Sequence, residues 1–173
     1  MIRLVTPEEA DQAAAVYLQC AQHMNAHGFY NWNAKYPSKN EALADAQAGT
    51  LYGYYRHGEL CGLVTFDQKQ VPQYETVPFQ HPLNQSLITH RLAVSPNHQH
   101  RGISKELLEF GLQLTAEKGL KALHIDCLSI NPAPMNLCRR MDFTHVGQIF
   151  YPNKDHRVRE FPFYCFEKIV DAQ

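Results

Sequence analysis

Apolar residues recur along the chain at two spacings, every second residue in some stretches and every third or fourth in others. The two regimes alternate in an order that can be read directly. Residues 2–5 read as a short strand. Thr6 and Glu9, three apart with Pro7 between them, form a capping box that opens a helix. Val16, Tyr17, Cys20 and Met24 line one face of it, and Gly28 ends it. Residues 29–37 make an aromatic loop. Ser38 and Glu41 repeat the capping pattern for a shorter helix closed by Gly49. Residues 51–56 and 60–66 predict a hairpin around His57-Gly58-Glu59.

Residues 67–85 contain three prolines and little periodicity, and so predict a long loop, which in a folded domain is often functional. Strands follow at 87–94 and 122–128, with a helix between them over 102–118. Ile103, Leu107, Phe110 and Leu114 give that helix its stripe, and Leu108 and Leu112 widen it. Asn131-Pro132 starts a last helix running to about Met141. Strands at 143–150 and 161–169 close the chain. The order βααβββαβαββ predicts one α/β domain over residues 1–173, with a single mixed, twisted sheet and helices on both faces. A strand–helix–strand unit at its centre makes a parallel pair.

Composition narrows the function classes. The chain has 173 residues, 45% hydrophobic and 19% charged, with a net charge of −1. That balance offers no electrostatic footprint for nucleic acid or an anionic membrane. No apolar run approaches the roughly 20 residues of a membrane span, and the first residues lack a signal-peptide core. Cys20, Cys61, Cys127, Cys138 and Cys165 are odd in number and scattered, with no CxxC pair, as expected of reduced thiols in a cytoplasmic protein. His23 and His27, four apart, and His98 and His100, two apart, lack a third ligand at motif spacing, so no metal is expected.

The junction between the strand at 87–94 and the following helix reads NHQHRGIS. A helix start carries unsatisfied N–H groups and partial positive charge, and a glycine there lets a phosphate approach the backbone. The plain alternative is a strand-to-helix turn that needs glycine for steric relief. Neither GxxxxGK[ST] nor GxGxxG occurs in the chain, which excludes the commoner nucleotide loops.

Gln99-x-x-Gly102-x-Ser104 after HRLAVSP resembles the acyl-CoA signature of the GCN5-related N-acetyltransferase family: Gln or Arg, two residues, Gly, one residue, Gly or Ala. The opening IRLVTPEE, the segment HIDCLSINPAPMNLCRRMDF and the element order extend the likeness over nearly the whole chain. Trp32 with Tyr36-Pro37 is similar to a bacterial subgroup. The resemblance implies a sheet splayed between its two parallel middle strands, with acetyl-CoA as cosubstrate. Backbone from Gln99 through His100, Arg101, Gly102 and Ile103 to Ser104 would hold the pyrophosphate. Backbone at Leu92, Ala93 and Val94 would hold the pantetheine and the thioester carbonyl, and Asn131 would contact the pantetheine arm. The acceptor would be a primary amine of a small molecule or peptide, and the family pattern points to a homodimer.

Three departures from the family stand out. Ser104 replaces a second small residue, and Asp142 replaces a helix-ending glycine. Cys138 occupies the place of a tyrosine that protonates the departing thiolate. A thiol of pKa ~8.5 suffices as an acid toward a thiolate, but Cys138 can equally be packing. For the general base, His90, His124, Asp126 and Glu75 are candidates, with Tyr74 beside the last. Histidine suits by its pKa of ~6.5. Each has a structural alternative, as a bonded core histidine or a loop anchor. Phe29, Tyr30, Trp32 and Tyr36 either wall an acceptor pocket or belong to the core. Against an enzyme stand two other readings: an acyl-CoA-binding sensor with catalysis lost, and a structural α/β domain.

Overall fold

Among the described residues, seven strands and four α-helices succeed one another as β1 (Ile2–Leu4), α1 (Ala10–Ala26), α2 (Lys39–Gln47), β2 (Leu51–Arg56), β3 (Glu59–Asp67), β4 (Ser86–Val94), α3 (Ile103–Glu117), β5 (Ala122–Leu128), α4 (Pro132–Arg140), β6 (Thr144–Ile149) and β7 (Phe163–Ile169). This is the order the sequence predicts. The computed structural model describes residues 1–170. The strands form one mixed sheet in the order β1-β2-β3-β4-β5-β7-β6, in which β4 and β5 are the parallel pair. The chain divides into two units: Met1–Phe66 with His90–Leu108, and Asp67–Thr89 with the chain from Glu109 onward.

In the first unit β1 pairs antiparallel with β2, and β2 with β3. The hairpin turn is tighter than its composition suggests. Glu59 joins the ladder opposite Arg56, leaving only His57 and Gly58 to turn, both with positive φ (50° and 81°). That is the primed two-residue turn whose twist suits flanking strands. α1 begins at Ala10, because Pro7–Glu9 form a 3₁₀ turn first. The expected box is present: Thr6 N–H donates to Glu9 Oε2 at 2.9 Å, and Arg3 also pairs with Glu9. At α2 the Ser38 N–H donates to Glu41 Oε2 at 2.7 Å, and the Ser38 hydroxyl accepts from Asn40 N–H. The stripes of these helices bury Val16, Tyr17, Cys20 and Ala42 with Leu51, Leu63 and Ala93. Full burial of one such large aliphatic or aromatic side chain contributes about 1.5–3 kcal/mol.

In the second unit β4 pairs with β5 over Ser86–Thr89, β5 runs antiparallel to β7 along its whole length, and β7 pairs with β6. The last strand starts at Phe163, two residues later than expected. Pro162 has no N–H to give the ladder, and its carbonyl instead accepts from Ser129 N–H at 3.0 Å. The long loop after β3 contains two short 3₁₀ turns, Pro72–Thr76 and Leu83–Gln85. Asp142 ends α4 with φ of 55°, so it occupies the left-handed position that glycine usually fills.

Candidate functional site

Two groups of candidate residues emerge, one in each unit. The first begins with a distortion in β4. Arg91 lies within the strand yet has φ of 51°, a left-handed conformation that costs an ordinary residue roughly 1–2 kcal/mol. Its side chain explains how the distortion is held. Arg91 Nη2 and Nε reach Asp45 Oδ2 at 2.5 and 3.1 Å, and Thr65 Oγ1 donates to the same oxygen at 2.7 Å. Arg91 Nη1 also reaches Tyr36 OH at 3.5 Å. Asp45 is buried, and the adjoining Tyr17 hydroxyl has its pKa raised chiefly by burial. Nothing in the sequence marked Arg91 or Asp45; an arginine in a strand and an aspartate in a helix are each commonplace.

Beyond this point come Leu92, half-buried, and the buried Ala93 and Val94. The Val94 carbonyl is engaged twice, by Gln99 Nε2 and by Cys20 Sγ, each at 3.2 Å. The signature glutamine therefore folds its own loop back onto the strand end. His100 (φ 61°) and Gly102 (φ 83°) are both left-handed, and a Cβ added to Gly102 would meet nothing within 4 Å. The glycine is thus required by backbone conformation and not by crowding, and the space over it is open. α3 starts at the next residue, so its first N–H groups, from Ile103 and Ser104 onward, have no intrahelical acceptor. Alternating backbone of this kind at a helix start makes a concave array of N–H groups suited to an anion. Arg101 is exposed on the same loop. His90, at the start of this segment, is half-buried.

The second group is built on β5. Asp126 Oδ2 accepts from Tyr74 OH at 2.6 Å and from Tyr151 OH at 3.0 Å. Among the described residues no donor is bonded to its Oδ1. Tyr74 is buried, and burial together with the Asp126 charge lifts its pKa well above the ordinary value, so it remains a donor. Cys165, facing Asp126 across the ladder, has its thiol pushed up to about 12, first by burial and then by that charge. Tyr151 follows β6 in a loop whose sequence carries no motif, and its role emerges only from the fold.

His124, two residues away on β5, has other partners. It is completely buried and lies flat on Phe79, with centroids 3.9 Å apart. Its Nε2 meets Glu167 Oε1 at 3.0 Å, and the same carboxylate accepts the N–H groups of Gln80 and His81 at 2.9 and 3.0 Å. Burial lowers the His124 pKa, and Glu167 only partly opposes it. A neutral ring donating from Nε2 fits the Glu167 contact, and the shared carboxylate anchors the long loop to β7. Glu75, next to Tyr74, is exposed. Asn131 caps α4, its Oδ1 accepting from Ala133 N–H at 3.2 Å, which leaves its NH2 outside the cap. Cys138 is fully buried, with its sulfur 3.9 Å from that of Cys127. No helix among the described residues is long and apolar enough to cross a membrane.

Residues 17–143 match the family model described as "Acetyltransferase (GNAT) family". Solved structures with the same fold include a GNAT-family acetyltransferase of Streptococcus agalactiae (19% identity, 99% of this chain and 96% of that one, TM-score 0.81). A second is yncA of Salmonella typhimurium, solved with its cofactor acetyl-CoA (18%, 100% and 95%, TM-score 0.74). A third is a ribosomal-protein-alanine N-acetyltransferase of Brucella melitensis (18%, 98% and 99%, TM-score 0.71). At these identities the likeness is one of fold. No curated protein sequence gives a significant match.

Proposed function

The chain belongs to the GNAT acetyltransferase family, and from that premise we propose that it transfers an acetyl group from acetyl-CoA to a primary amine of a small molecule or peptide, by direct attack within a ternary complex. The observation that carries the reading is the loop from Gln99 to Ser104, with left-handed His100 and Gly102 opening onto the start of α3. Its free N–H groups suit the pyrophosphate of coenzyme A. The yncA structure with acetyl-CoA bound supports the same cosubstrate.

The reaction requires a neutral amine. An alkyl ammonium has a pKa near that of lysine, ~10.4, so the acceptor arrives charged. In this reading Asp126 receives it. Tyr74 and Tyr151 fix one carboxylate oxygen, and Oδ1 is left to bind the ammonium and take its proton, directly or through a water. The freed lone pair attacks the thioester carbon, the C–S bond breaks, the thiolate leaves with the electron pair, and the second proton lost by the nitrogen passes through solvent to the thiolate. Cys138, buried against Cys127, is not needed for that departure, because the thiolate of coenzyme A is a tolerable leaving group.

Thiol release from acetyl-CoA, measured across polyamines, amino acids, aminoglycosides and peptides with free N-termini, tests the proposal. At least one class should release thiol. Asp126→Asn should lower kcat/KM by roughly 10²–10⁴ and remove the acid limb of the pH–rate profile, with affinity for coenzyme A unchanged. An unshifted acid limb in that variant removes Asp126 from the mechanism. Binding of coenzyme A with no thiol release from any amine makes the chain a sensor and not an enzyme.

A further inference from the structure

Glu59 and Cys61 on β3 converge with His98, which lies in the 3₁₀ turn after β4. One ligand atom from each of the three lies within 4.8 Å of the other two. The β2–β3 ladder is irregular here, Tyr55 pairing with Leu60 and Tyr54 with Gly62, so Cys61 is an extra residue in β3 close to Glu59. His98 Nε2 is 3.5 Å from Glu59 Oε2. Backbone hydrogen bonds fix the approach independently of any ion: Ser95 N–H donates to the Cys61 carbonyl at 2.9 Å, and His98 N–H to the Ser95 carbonyl at 2.8 Å. The third ligand that the histidine spacing lacks is thus brought from a distant strand.

His98 turns its Nε2 toward Glu59, so that nitrogen is the one offered to an ion held by the cluster. Cys61 is fully buried, and its thiol donates to the Glu59 carbonyl at 3.4 Å. An imidazole and a thiol beside a carboxylate are the donors of a zinc-class ion, since thiolate selects against magnesium, calcium and manganese.

We propose that Glu59, Cys61 and His98 form a site for a zinc-class divalent cation, with three protein ligands and a fourth position for water. Bonds of about 2.3 Å to sulfur and 2.0–2.2 Å to nitrogen and oxygen place tetrahedral neighbours roughly 3.3–3.6 Å apart. The His98–Glu59 pair already has that separation. The remaining adjustment is a swing of Glu59, whose side chain is 67% exposed. On binding, the Cys61 S–H proton passes to solvent and the sulfur electron pair goes to the metal. The thiolate and carboxylate together balance the ion's two positive charges. Because His98 immediately precedes Gln99, an ion here ties the anion-binding loop to β3.

Cobalt(II) and zinc(II) titrations of the untagged full-length protein test this. One equivalent should bind, and the cobalt form should show thiolate-to-metal charge transfer in the near ultraviolet with intense tetrahedral d–d bands. Cys61→Ser should abolish the charge-transfer band. His98→Gln and Glu59→Gln should each weaken binding about tenfold or more. Glu59→Gln alters an exposed side chain and serves should the Cys61 variant not fold. Changing His23 and His27 together to glutamine should leave the spectrum as it was. No binding at micromolar metal, a cobalt form without thiolate charge transfer, or a Glu59→Gln protein with unaltered affinity each overturns the proposal.

Discussion

The buried His124 ring shows what a single side chain contributes and what it costs. Its native pKa lies below the ordinary value because burial disfavours the imidazolium. The unfolded chain therefore takes up a proton near pH ~6.5 that the native chain refuses. Stability is full above that pH and falls as the pH drops from there toward the lower native pKa, by up to about 1.4 kcal/mol per pH unit. Denaturant unfolding followed between pH 7.5 and 5 should show this slope, and His124→Gln should flatten it. A slope unchanged in the variant would assign the effect to another group. The Glu9 carboxylate, held near 2 chiefly by Arg3, acts in a lower window, between the ordinary carboxylate range and that value. The sequence offered His124 as either a base or a core histidine. Its flat contact with Phe79 and its bond to Glu167 come from residues 45 and 43 positions away, which no local pattern reports.

Among the elements, α2 and β4 depend on each other through Asp45 and Arg91. The buried carboxylate meets the guanidinium of a residue held at φ 51°, and without Arg91 it would keep only the Thr65 hydroxyl among these partners. Breaking one side of a buried pair costs about 3–5 kcal/mol, so Asp45→Ala should lower unfolding stability by that amount with little change in m. A loss below 1 kcal/mol would mean that the left-handed backbone at Arg91 is held without the pair. The boundaries of α2 were legible because Ser38 and Glu41 are local signals that act within one turn. The left-handed Arg91 was not, because HRLAV reads as unbroken strand and the aspartate that meets Arg91 is 46 positions away.

For the whole chain, stability should respond to the cosubstrate. β4 belongs to both compact units, Ser86–Thr89 to one and His90–Val94 to the other, so loss of the strand disrupts each. We expect unfolding followed by tryptophan fluorescence and by circular dichroism to coincide, as for one cooperative domain. Coenzyme A at 100 times its Kd should add about 2.7 kcal/mol. Gly102→Ala, strained at φ 83° and placed at the start of α3, should gain less at the same concentration; an equal gain would remove the loop from the binding site. By itself the sequence determined the order of elements, the parallel pair and the signature loop, since helix caps, alternation and a required glycine are encoded within a few residues of where they act. Tertiary structure alone decided which carboxylate meets two tyrosines, which histidine is sealed in the core, and that Glu59 and Cys61 meet His98. Those meetings depend on how strands far apart in the chain come to lie side by side, and hydrophobic spacing records that a face is buried but not what it is buried against.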